Sequence, residues 1–595
     1  RDEAFLSDAA DYTILPLPTG FTHGDAEAID DQGRIVGWGW DGDFAAVVWD
    51  GTRPADLTAL AREALGEDVE LEKAFDVSNS GWVVGYGYRA GGGAPEIFTA
   101  KLGRGCRGPA TIDDAVRWTA PSSGLFDDAE NWAGGVVPGR DAVVRFDTGT
   151  AATVTVIDDL IHRSLLLDAG AVDPVFDLGG ATWILEGDDP CLRSLYTLPV
   201  QGASTFTFSG GIVRAERGVD FAHRGRSSFT LRDGAELLVD GGPVTAGHAD
   251  STVIVIEDGS ALHFGPEGMV LGADTGEHAG LVIAGDGNEL TGTELVAGGA
   301  GSAEVGMVAF ADQDNTVQID ALRAARAVGS SAELIFTSPG FLEANTVEVG
   351  IGGEATLEVA TGFFLGATSL ELGTNPQARG HLEISADSFV AAGDVLIARH
   401  GSARIEVRNG GVLNATTLVG EASTARLSMG EENGADAQVD VTGEGSKLLV
   451  GSASVGVRGT GLIQVGDGGL AEIAETTVIG ELLDQGLGGV FVYDGGRFVS
   501  DMILVGPGGL LQSATVSTDQ DGTIETRRLV VLDGATVEGN VFEFSGPANR
   551  SGSRSIDPAS VTVAELELRD GATLDVSAVR FGTGWSLSGD GTFPH

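Results

Sequence analysis

The sequence predicts an all-β fold, a right-handed parallel β-helix (β-solenoid) with a small N-terminal β-rich domain. The first observation is a repeat of about two dozen residues, clearest after position 346. Short apolar stretches that end in Gly recur at 346–350, 370–373, 417–420, 453–456, 477–480 and 502–506. A second strand-like stretch and an Asp-Gly or Asn-Gly turn separate successive copies. Because one such unit cannot bury its own apolar face, the repeat indicates stacked units that share a core.

Composition supports this architecture. The chain has 595 residues, of which 92 are Gly and 18 are Pro, and 42% are hydrophobic. The glycines lie between short alternating apolar stretches, where they supply the positive φ of turns. Strands that stack in the same sense form parallel sheets, and their crossover connections are almost always right-handed.

The formal net charge of −52 restricts the partners. Nucleic acid is excluded as an expected partner because phosphate binding needs basic patches. Docking on anionic lipid is disfavoured for the same reason. No apolar run approaches the roughly 20 residues of a membrane helix, so membrane insertion is not expected. The acidity favours a protein that stays soluble in a salty or extracellular medium.

Residues 1–103 form the predicted N-terminal domain, which contains two related segments at 26–40 and 74–88. Each has a polar turn, an apolar pair and then Gly and aromatic residues in alternation, which predicts a hairpin with its aromatics on one face. Between them, residues 56–66 have the pattern of one short helix. The aromatic residues are candidates for contact with a partner or for stacking on glycan: Trp38, Trp40, Trp82, Tyr86 and Tyr88.

The same segment contains Ala-x-Ala-Ile-Asp-Asp-x-Gly-x-Ile-Val-Gly at 26–37 and Asp-Val-Ser-Asn-Ser-Gly-x-Val-Val-Gly at 76–85. With these two motifs it resembles the extracellular HAF-repeat family of bacterial proteins. The resemblance implies a secreted bacterial protein and carries no catalytic residues.

Residues 104–149 are predicted to form a linker and a Trp-rich cap of the solenoid. The pattern Trp…Gly-x-Phe…Asn-Trp-x-x-Gly-x-x-Pro-Gly-x-Asp over 118–141 resembles the opening unit of autotransporter-like and surface-anchored bacterial β-helix proteins. Trp118 and Trp132 are suited to covering the open end of a solenoid; a carbohydrate-stacking platform is the alternative. Residues 150–595 are predicted to be the solenoid, with longer loops at 312–329 and 430–445.

The two cysteines, Cys106 and Cys191, are too few for a disulfide framework or a zinc site. One disulfide between them is the expectation if the chain is secreted, and two buried free thiols are the alternative.

The pattern of ionisable residues predicts neither catalysis nor a resident cofactor. The nine histidines are scattered, and no nucleophile motif, metal-binding motif or phosphate loop is present. Segments 286–289 and 519–522 carry oxygen ligands that suit weakly bound Ca²⁺, but their spacing fits turns better than an EF-hand. The chain is therefore not expected to be an enzyme.

Three functional hypotheses remain. The first is an extracellular structural protein, a solenoid rod that self-assembles head to tail into a filament, sheath or surface layer. The second is an adhesin or glycan-binding surface protein that uses the aromatic residues of the N-terminal domain. The third, and weakest, is a polysaccharide lyase or hydrolase, which would need convergent residues on adjacent turns.

Overall fold

The structure of the chain is a computed structural model, and its description covers these residues: 5–7, 12–14, 17, 23–29, 34–40, 44–50, 53–57, 69–77, 82–89, 96–101, 115–120, 123–146, 152–168, 174–187, 193–197, 203–221, 226–247, 251–274, 277–308, 315–337, 339–416, 425–480, 486–514, 522–532, 534–544, 560–569, 573–581 and 588–589. The chain divides into two compact units, one of residues 1–112 with 189–192 and one of residues 113–188 with 193–595.

The first unit consists of antiparallel strands: β1 (Phe5–Ser7), β2 (Tyr12–Ile14), β3 (His23–Ile29), β4 (Arg34–Trp40), β5 (Phe44–Asp50), β6 (Arg53–Asp56), β7 (Val69–Val77), β8 (Trp82–Arg89) and β9 (Glu96–Lys101). They form a β1-β2 pair, a β3-β4-β5-β6 sheet and a β7-β8-β9 sheet. Both predicted hairpins are present, as β3-β4 and as β7-β8. The two larger sheets share one hydrophobic cluster that includes Val36, Val48, Leu71 and Val83.

The second unit is a parallel β-solenoid, as predicted. Its first strands are β10 (Val116–Arg117), β11 (Gly124–Leu125), β12 (Val143–Phe146), β13 (Thr153–Thr155), β14 (Leu160–His162), β15 (Ser164–Leu167), β16 (Val175–Asp177), β17 (Thr182–Leu185), β18 (Leu195–Thr197), β19 (Ala203–Ser209), β20 (Ile212–Ala215), β21 (Val219–Phe221), β22 (Arg226–Arg232), β23 (Glu236–Val239) and β24 (Val244–Ala246). A 3₁₀ helix spans Ala129–Asn131, capped by the side chain of Asp128.

The middle strands of the solenoid are β25 (Thr252–Glu257), β26 (Ala261–Phe264), β27 (Met269–Leu271), β28 (His278–Ala284), β29 (Glu289–Ala297), β30 (Ser302–Val308), β31 (Asn315–Ala324), β32 (Ser331–Phe336), β33 (Gly340–Val349), β34 (Glu354–Val359), β35 (Phe364–Leu372), β36 (Arg379–Ile384), β37 (Phe389–Ile397), β38 (Ser402–Arg408) and β39 (Val412–Ala415). From β29 onward, many turns join two short strands into one longer, bent strand that pairs along both parts.

The last strands are β40 (Arg426–Met429), β41 (Asp436–Thr442), β42 (Lys447–Val450), β43 (Ser452–Val455), β44 (Thr460–Gly466), β45 (Leu470–Ile479), β46 (Leu487–Tyr493), β47 (Arg497–Val505), β48 (Gly509–Ala514), β49 (Thr523–Val531), β50 (Thr536–Phe544), β51 (Ser560–Leu568), β52 (Thr573–Phe581) and β53 (Ser588–Gly589). The ladder of parallel pairs is continuous from β10 to β53.

The core consists of rows of apolar side chains that run from turn to turn. One row follows the parallel register from β19 to β50 and is buried throughout. Its members are Phe206, Phe229, Ile254, Leu281, Val305, Leu334, Leu357, Leu382, Ile405, Val439, Ile463, Val490, Leu511 and Val537. Side chains on either side of this row point outward, because successive residues of a strand face opposite sides.

The predicted Asp-Gly and Asn-Gly turns are confirmed. Asp233, Asp258, Asn409 and Asp494 have φ between 47° and 56°, and each precedes a glycine that also has positive φ. Asn and Asp tolerate this left-handed region better than most residues do. These pairs turn the chain sharply between two strands of one solenoid turn.

Some predictions need correction or fall outside the described residues. The stretches 312–329 and 430–445 were predicted to be longer loops, but each contains a strand. Strand β31 lies within the first stretch, and strand β41 lies within the second. Both strands pair in register with the turns before and after them. The helix predicted over 56–66 lies outside the described residues except for positions 56 and 57, as does the repeat copy at 417–420.

Candidate functional site

A partly exposed aromatic surface occurs in the N-terminal unit, and we define it as Trp38, Trp40, Phe44 and Lys73. The ring centroid of Phe44 lies 5.2 Å from that of Trp38 and 4.9 Å from that of Trp40, both in edge-to-face geometry. The ammonium nitrogen of Lys73 lies over two of these rings. Strands β4, β5 and β7 thereby bring together side chains that are up to 35 positions apart in the sequence, between Trp38 and Lys73.

Alternation of glycine with the aromatic residues explains why this face forms. Trp38 and Trp40 alternate with glycines that are buried. A Cβ added at Gly37 would lie 1.9 Å from the backbone oxygen of Asp25, so β3 and β4 approach too closely for any side chain there. The aromatic side chains consequently project from the opposite face of β4. The indole nitrogen of Trp38 donates a hydrogen bond to the Glu27 carboxylate at 3.1 Å.

The second hairpin contributes a neighbouring aromatic pair. Tyr86 is the register partner of Lys73 across β7 and β8, and its ring lies 5.4 Å from the Phe75 ring. Burial raises the pKa of the Tyr86 hydroxyl, and the adjacent Glu72 carboxylate raises it further. The structure therefore brings Trp38 and Trp40 into contact through Phe44, and places Tyr86 next to Lys73.

The remaining predicted site residues fall into two groups. The ring of Tyr88 is partly exposed on β8, whereas only the backbone of Trp82 belongs to the described structure. Cys106 and Cys191 lie outside the described residues, as do positions 519–521 of one candidate calcium segment. The disulfide and that calcium segment stay predictions.

The two tryptophans predicted to cap the solenoid are buried in its first turns. Trp118 is 1% exposed and Trp132 is 2% exposed. Their backbones form an antiparallel bridge, and their rings meet edge to face at 5.0 Å. The Trp132 indole nitrogen donates to the backbone oxygen of Phe126 at 2.7 Å. Because neither ring face is exposed, this arrangement disfavours the alternative of a carbohydrate-stacking platform at these residues.

The second candidate calcium segment, 286–289, has a structural role in its turn. Asn288 is 1% exposed. Its side-chain oxygen accepts a hydrogen bond from the Ser260 backbone at 3.1 Å, and its backbone N–H donates to the Asn315 side chain at 2.9 Å. These hydrogen bonds join three successive turns of the solenoid, so the side-chain oxygen of Asn288 serves the packing of the turns rather than calcium binding.

Charged side chains line an outward face of the solenoid in register. Arg323 forms ion pairs with Glu294 one turn before and with Glu348 one turn after. Glu371 follows Glu348 in the same row, and a guanidinium nitrogen of Arg399 lies 3.7 Å from its carboxylate. Burial raises the pKa of Glu371, although Arg399 acts in the opposite direction. Repulsion between stacked acidic turns is thus reduced by arginines placed between them.

One group of side chains in the described part of the chain has metal-ligating geometry. His381 and Glu383 project from the same face of β36, and Glu406 is the register partner of Glu383 on β38. Their ligand atoms all lie within 4.8 Å of one another, and all three residues are partly exposed.

Comparison with known proteins finds no matching protein family, no similar curated protein and no similar solved structure. The described residues contain no helix with the length and hydropathy needed to span a lipid bilayer.

Sequence reasoning did not find Phe44 and Lys73 of the aromatic surface, and it assigned no metal-ligating role to His381, Glu383 or Glu406. Phe44 and Lys73 join the aromatic surface through pairing between strands, and Glu406 joins His381 and Glu383 through the stacking of turns. The separation of 23 positions between Glu383 and Glu406 is close to the repeat length. This separation is the signal in the sequence. An alignment of successive turns, unlike a scan for local motifs, would have placed Glu383 and Glu406 side by side.

Proposed function

We propose that the chain is a secreted bacterial structural protein, whose solenoid assembles head to tail into a filament, sheath or surface layer. The observation that supports this is the uninterrupted parallel ladder from β10 to β53. Each level of such a ladder presents N–H and C=O groups along the stacking direction to the next level. A second copy that continues the register makes a head-to-tail contact, which produces open polymers rather than closed rings.

Charge gives this proposal a specific test. Copies with a net charge of −52 repel one another, and salt screens that repulsion. Purified protein should therefore form fibres in negative-stain images as its concentration rises, and more readily at about 150 mM than at about 10 mM sodium chloride, where the Debye lengths are about 8 and 30 Å. Separate particles at every concentration and salt level would overturn the proposal.

A second candidate function, glycan binding, is favoured by the aromatic surface. Aromatic rings offer flat apolar area together with polar groups, which suits sugar rings. Lys73 already covers Trp38, so Trp40 is the better probe. Glycan-array binding should be lost in Trp40→Ala and kept in Phe364→Ala, which removes a partly exposed ring from the solenoid. Equal binding by the two variants would contradict this role for the surface.

A further inference from the structure

We propose that His381, Glu383 and Glu406 form a binding site for a divalent transition-metal cation on the outer face of the solenoid. The first argument is their placement. Two residues separated by one position on a strand face the same side, and the register partner on the neighbouring strand faces it too. His381, Glu383 and Glu406 occupy these three corners. Their side chains converge on one point and leave the solvent side open for water or an external ligand.

The distances require only a small adjustment. Metal–ligand bonds from imidazole nitrogen and carboxylate oxygen are about 2.1 Å long, so two ligands of one ion lie at most about 4.2 Å apart. The ligand atoms here lie within 4.8 Å of one another. Because all three residues are partly exposed, small rotations of their side chains bring the atoms to bonding distance.

The imidazole of His381 is available as a ligand. Within the described part of the chain, no hydrogen bond, ion pair or ring contact involves this side chain. Its strand neighbours in register are Thr356 one turn before and Arg404 one turn after. The Nε of Arg404 contacts the carboxylates of Asp440 at 2.7 Å and Glu406 at 3.1 Å rather than the imidazole of His381.

Among the described residues, each of the two carboxylates has a second oxygen besides the one that contacts its arginine partner. Glu383 pairs with Arg408, and Glu406 pairs with Arg404. A carboxylate has two oxygens, so one can bind a guanidinium while the other binds a metal. In that arrangement each arginine holds its carboxylate in a fixed orientation, as groups hydrogen-bonded to metal ligands do in established metal sites.

The local charge matches a divalent cation. Glu358, Glu383, Glu406 and Asp440 follow one another in a single outward row. Arg404 and Arg408 are the guanidinium groups paired with members of this row. Four carboxylates and two guanidinium groups leave two negative charges, which one divalent ion neutralises.

The ligand set indicates the class of metal. Calcium and magnesium prefer oxygen ligands alone, whereas imidazole with carboxylates suits Zn²⁺ and its neighbours in the transition series. The site is therefore expected to bind Zn²⁺ or Co²⁺ in preference to Ca²⁺. Diffuse attraction by the acidic surface would show no such preference and no dependence on His381.

The test is titration of the untagged chain, stripped with a chelator, with Zn²⁺, Co²⁺ or Ca²⁺ in about 150 mM sodium chloride to screen diffuse attraction. We expect one Zn²⁺ per chain and a cobalt absorption band typical of nitrogen and oxygen ligands. His381→Ala should weaken Zn²⁺ binding by more than the about 10- to 100-fold that is lost when a group that only orients a metal ligand is removed. Glu406→Gln should act in the same direction.

His400→Ala is the matched control, because His400 is exposed in the turn before β38 and lies outside the three-residue group. Far-ultraviolet circular dichroism of each metal-free variant checks that the solenoid is intact. Zn²⁺ binding that is unchanged in His381→Ala, or that is no tighter than Ca²⁺ binding, would overturn the proposal. Absence of a stoichiometric Zn²⁺ or Co²⁺ site in the wild-type chain would overturn it as well.

Discussion

The ammonium nitrogen of Lys73 lies 4.4 Å from the centroid of the Trp38 ring and 4.5 Å from that of Phe44. This contact joins β7 to β4 and β5 in the N-terminal unit. Lys73→Met keeps most of the aliphatic side chain but removes the charge, and it should destabilise these strands by about 0.5–2 kcal/mol. Faster amide hydrogen exchange in β4 and β5 is the expected measurement.

Lys447→Met is the control for this change. Lys447 is exposed on β42, and its substitution should leave hydrogen exchange in the solenoid nearly unchanged. If Lys73→Met leaves exchange in β4 and β5 at the wild-type rate, the cation–aromatic contact contributes nothing to stability.

Phe363 and Phe364 are adjacent in sequence but lie on opposite faces of the solenoid. Phe363 is fully buried and stacks on Phe336 at 4.9 Å. Phe364 is partly exposed and lies in an outward stack, 5.2 Å from Phe341 and 5.5 Å from Phe389. Phe363→Ala should lower the free energy of unfolding by about 3–5 kcal/mol because it leaves a cavity. Phe364→Ala should lower it by about 1 kcal/mol because it removes ring contacts.

Hydrogen exchange in β32 to β36 measures the stability of these strands in both variants and in wild type. Each variant is the control for the other. If Phe363→Ala and Phe364→Ala lose similar amounts of stability, the assignment of Phe363 to the core and of Phe364 to the outer face is wrong.

The solenoid architecture was predictable because the same strand-and-turn pattern recurs many times along the sequence. Short apolar strands that end in Gly, with Asp-Gly pairs such as Asp494 and Gly495 between them, indicate the same stacked unit at many places. The strand β31 was missed although Gln318 and Asp320 alternate with the buried residues Val317 and Ile319, which is the pattern of a half-buried strand. The side chains of Gln318 and Asp320 face outward, where the solenoid tolerates polarity, and pairing with β29 and β33 maintains the strand.

The candidate sites were harder to predict because stacking, rather than local sequence, creates them. His381 and Glu383 are two positions apart and visible as neighbours, but Glu406 joins them only through the register of β36 and β38. Similarly, the aromatic alternation predicted a face with Trp38 and Trp40, but not that Lys73 would lie over it. Such contacts depend on which residues pair across strands, and a scan for local motifs does not show that pairing.

The buried asparagines Asn288 and Asn315 are expected to contribute strongly to stability. Asn288 donates to the backbone oxygen of Ala284 at 2.8 Å and accepts from Ser260. Asn288→Ala leaves those buried backbone groups without partners, which should cost about 1–3 kcal/mol. Hydrogen exchange in β26, β29 and β31 should accelerate accordingly.

Asn345→Ala is the matched control, since the Asn345 side chain makes an exposed hydrogen bond to Asp320 at 3.2 Å. Its substitution should change stability by no more than about 0.5 kcal/mol. Equal effects of the two variants would show that the buried asparagine row is not a particular source of stability.

His162 should make the first turns of the solenoid sensitive to acid. It is 2% exposed, and its Nδ1 accepts a hydrogen bond from the Trp183 indole at 3.0 Å, which requires that Nδ1 carry no proton. Burial lowers its pKa below 6.5, although a hydrogen bond with the Pro138 backbone opposes this. Below that pH the unfolded chain binds a proton that the folded chain excludes, so stability falls as pH falls, by up to about 1.4 kcal/mol per pH unit.

Hydrogen exchange in β12 to β17 at pH 7 and pH 5, corrected for the intrinsic pH dependence of exchange, measures this effect. His162→Gln retains a hydrogen-bond acceptor for Trp183 but cannot take up a proton, so the loss of protection at pH 5 should become smaller. His400→Gln, at an exposed turn position, should keep the wild-type response. If His162→Gln loses protection at pH 5 as much as wild type does, the acid sensitivity of these turns comes from groups other than His162.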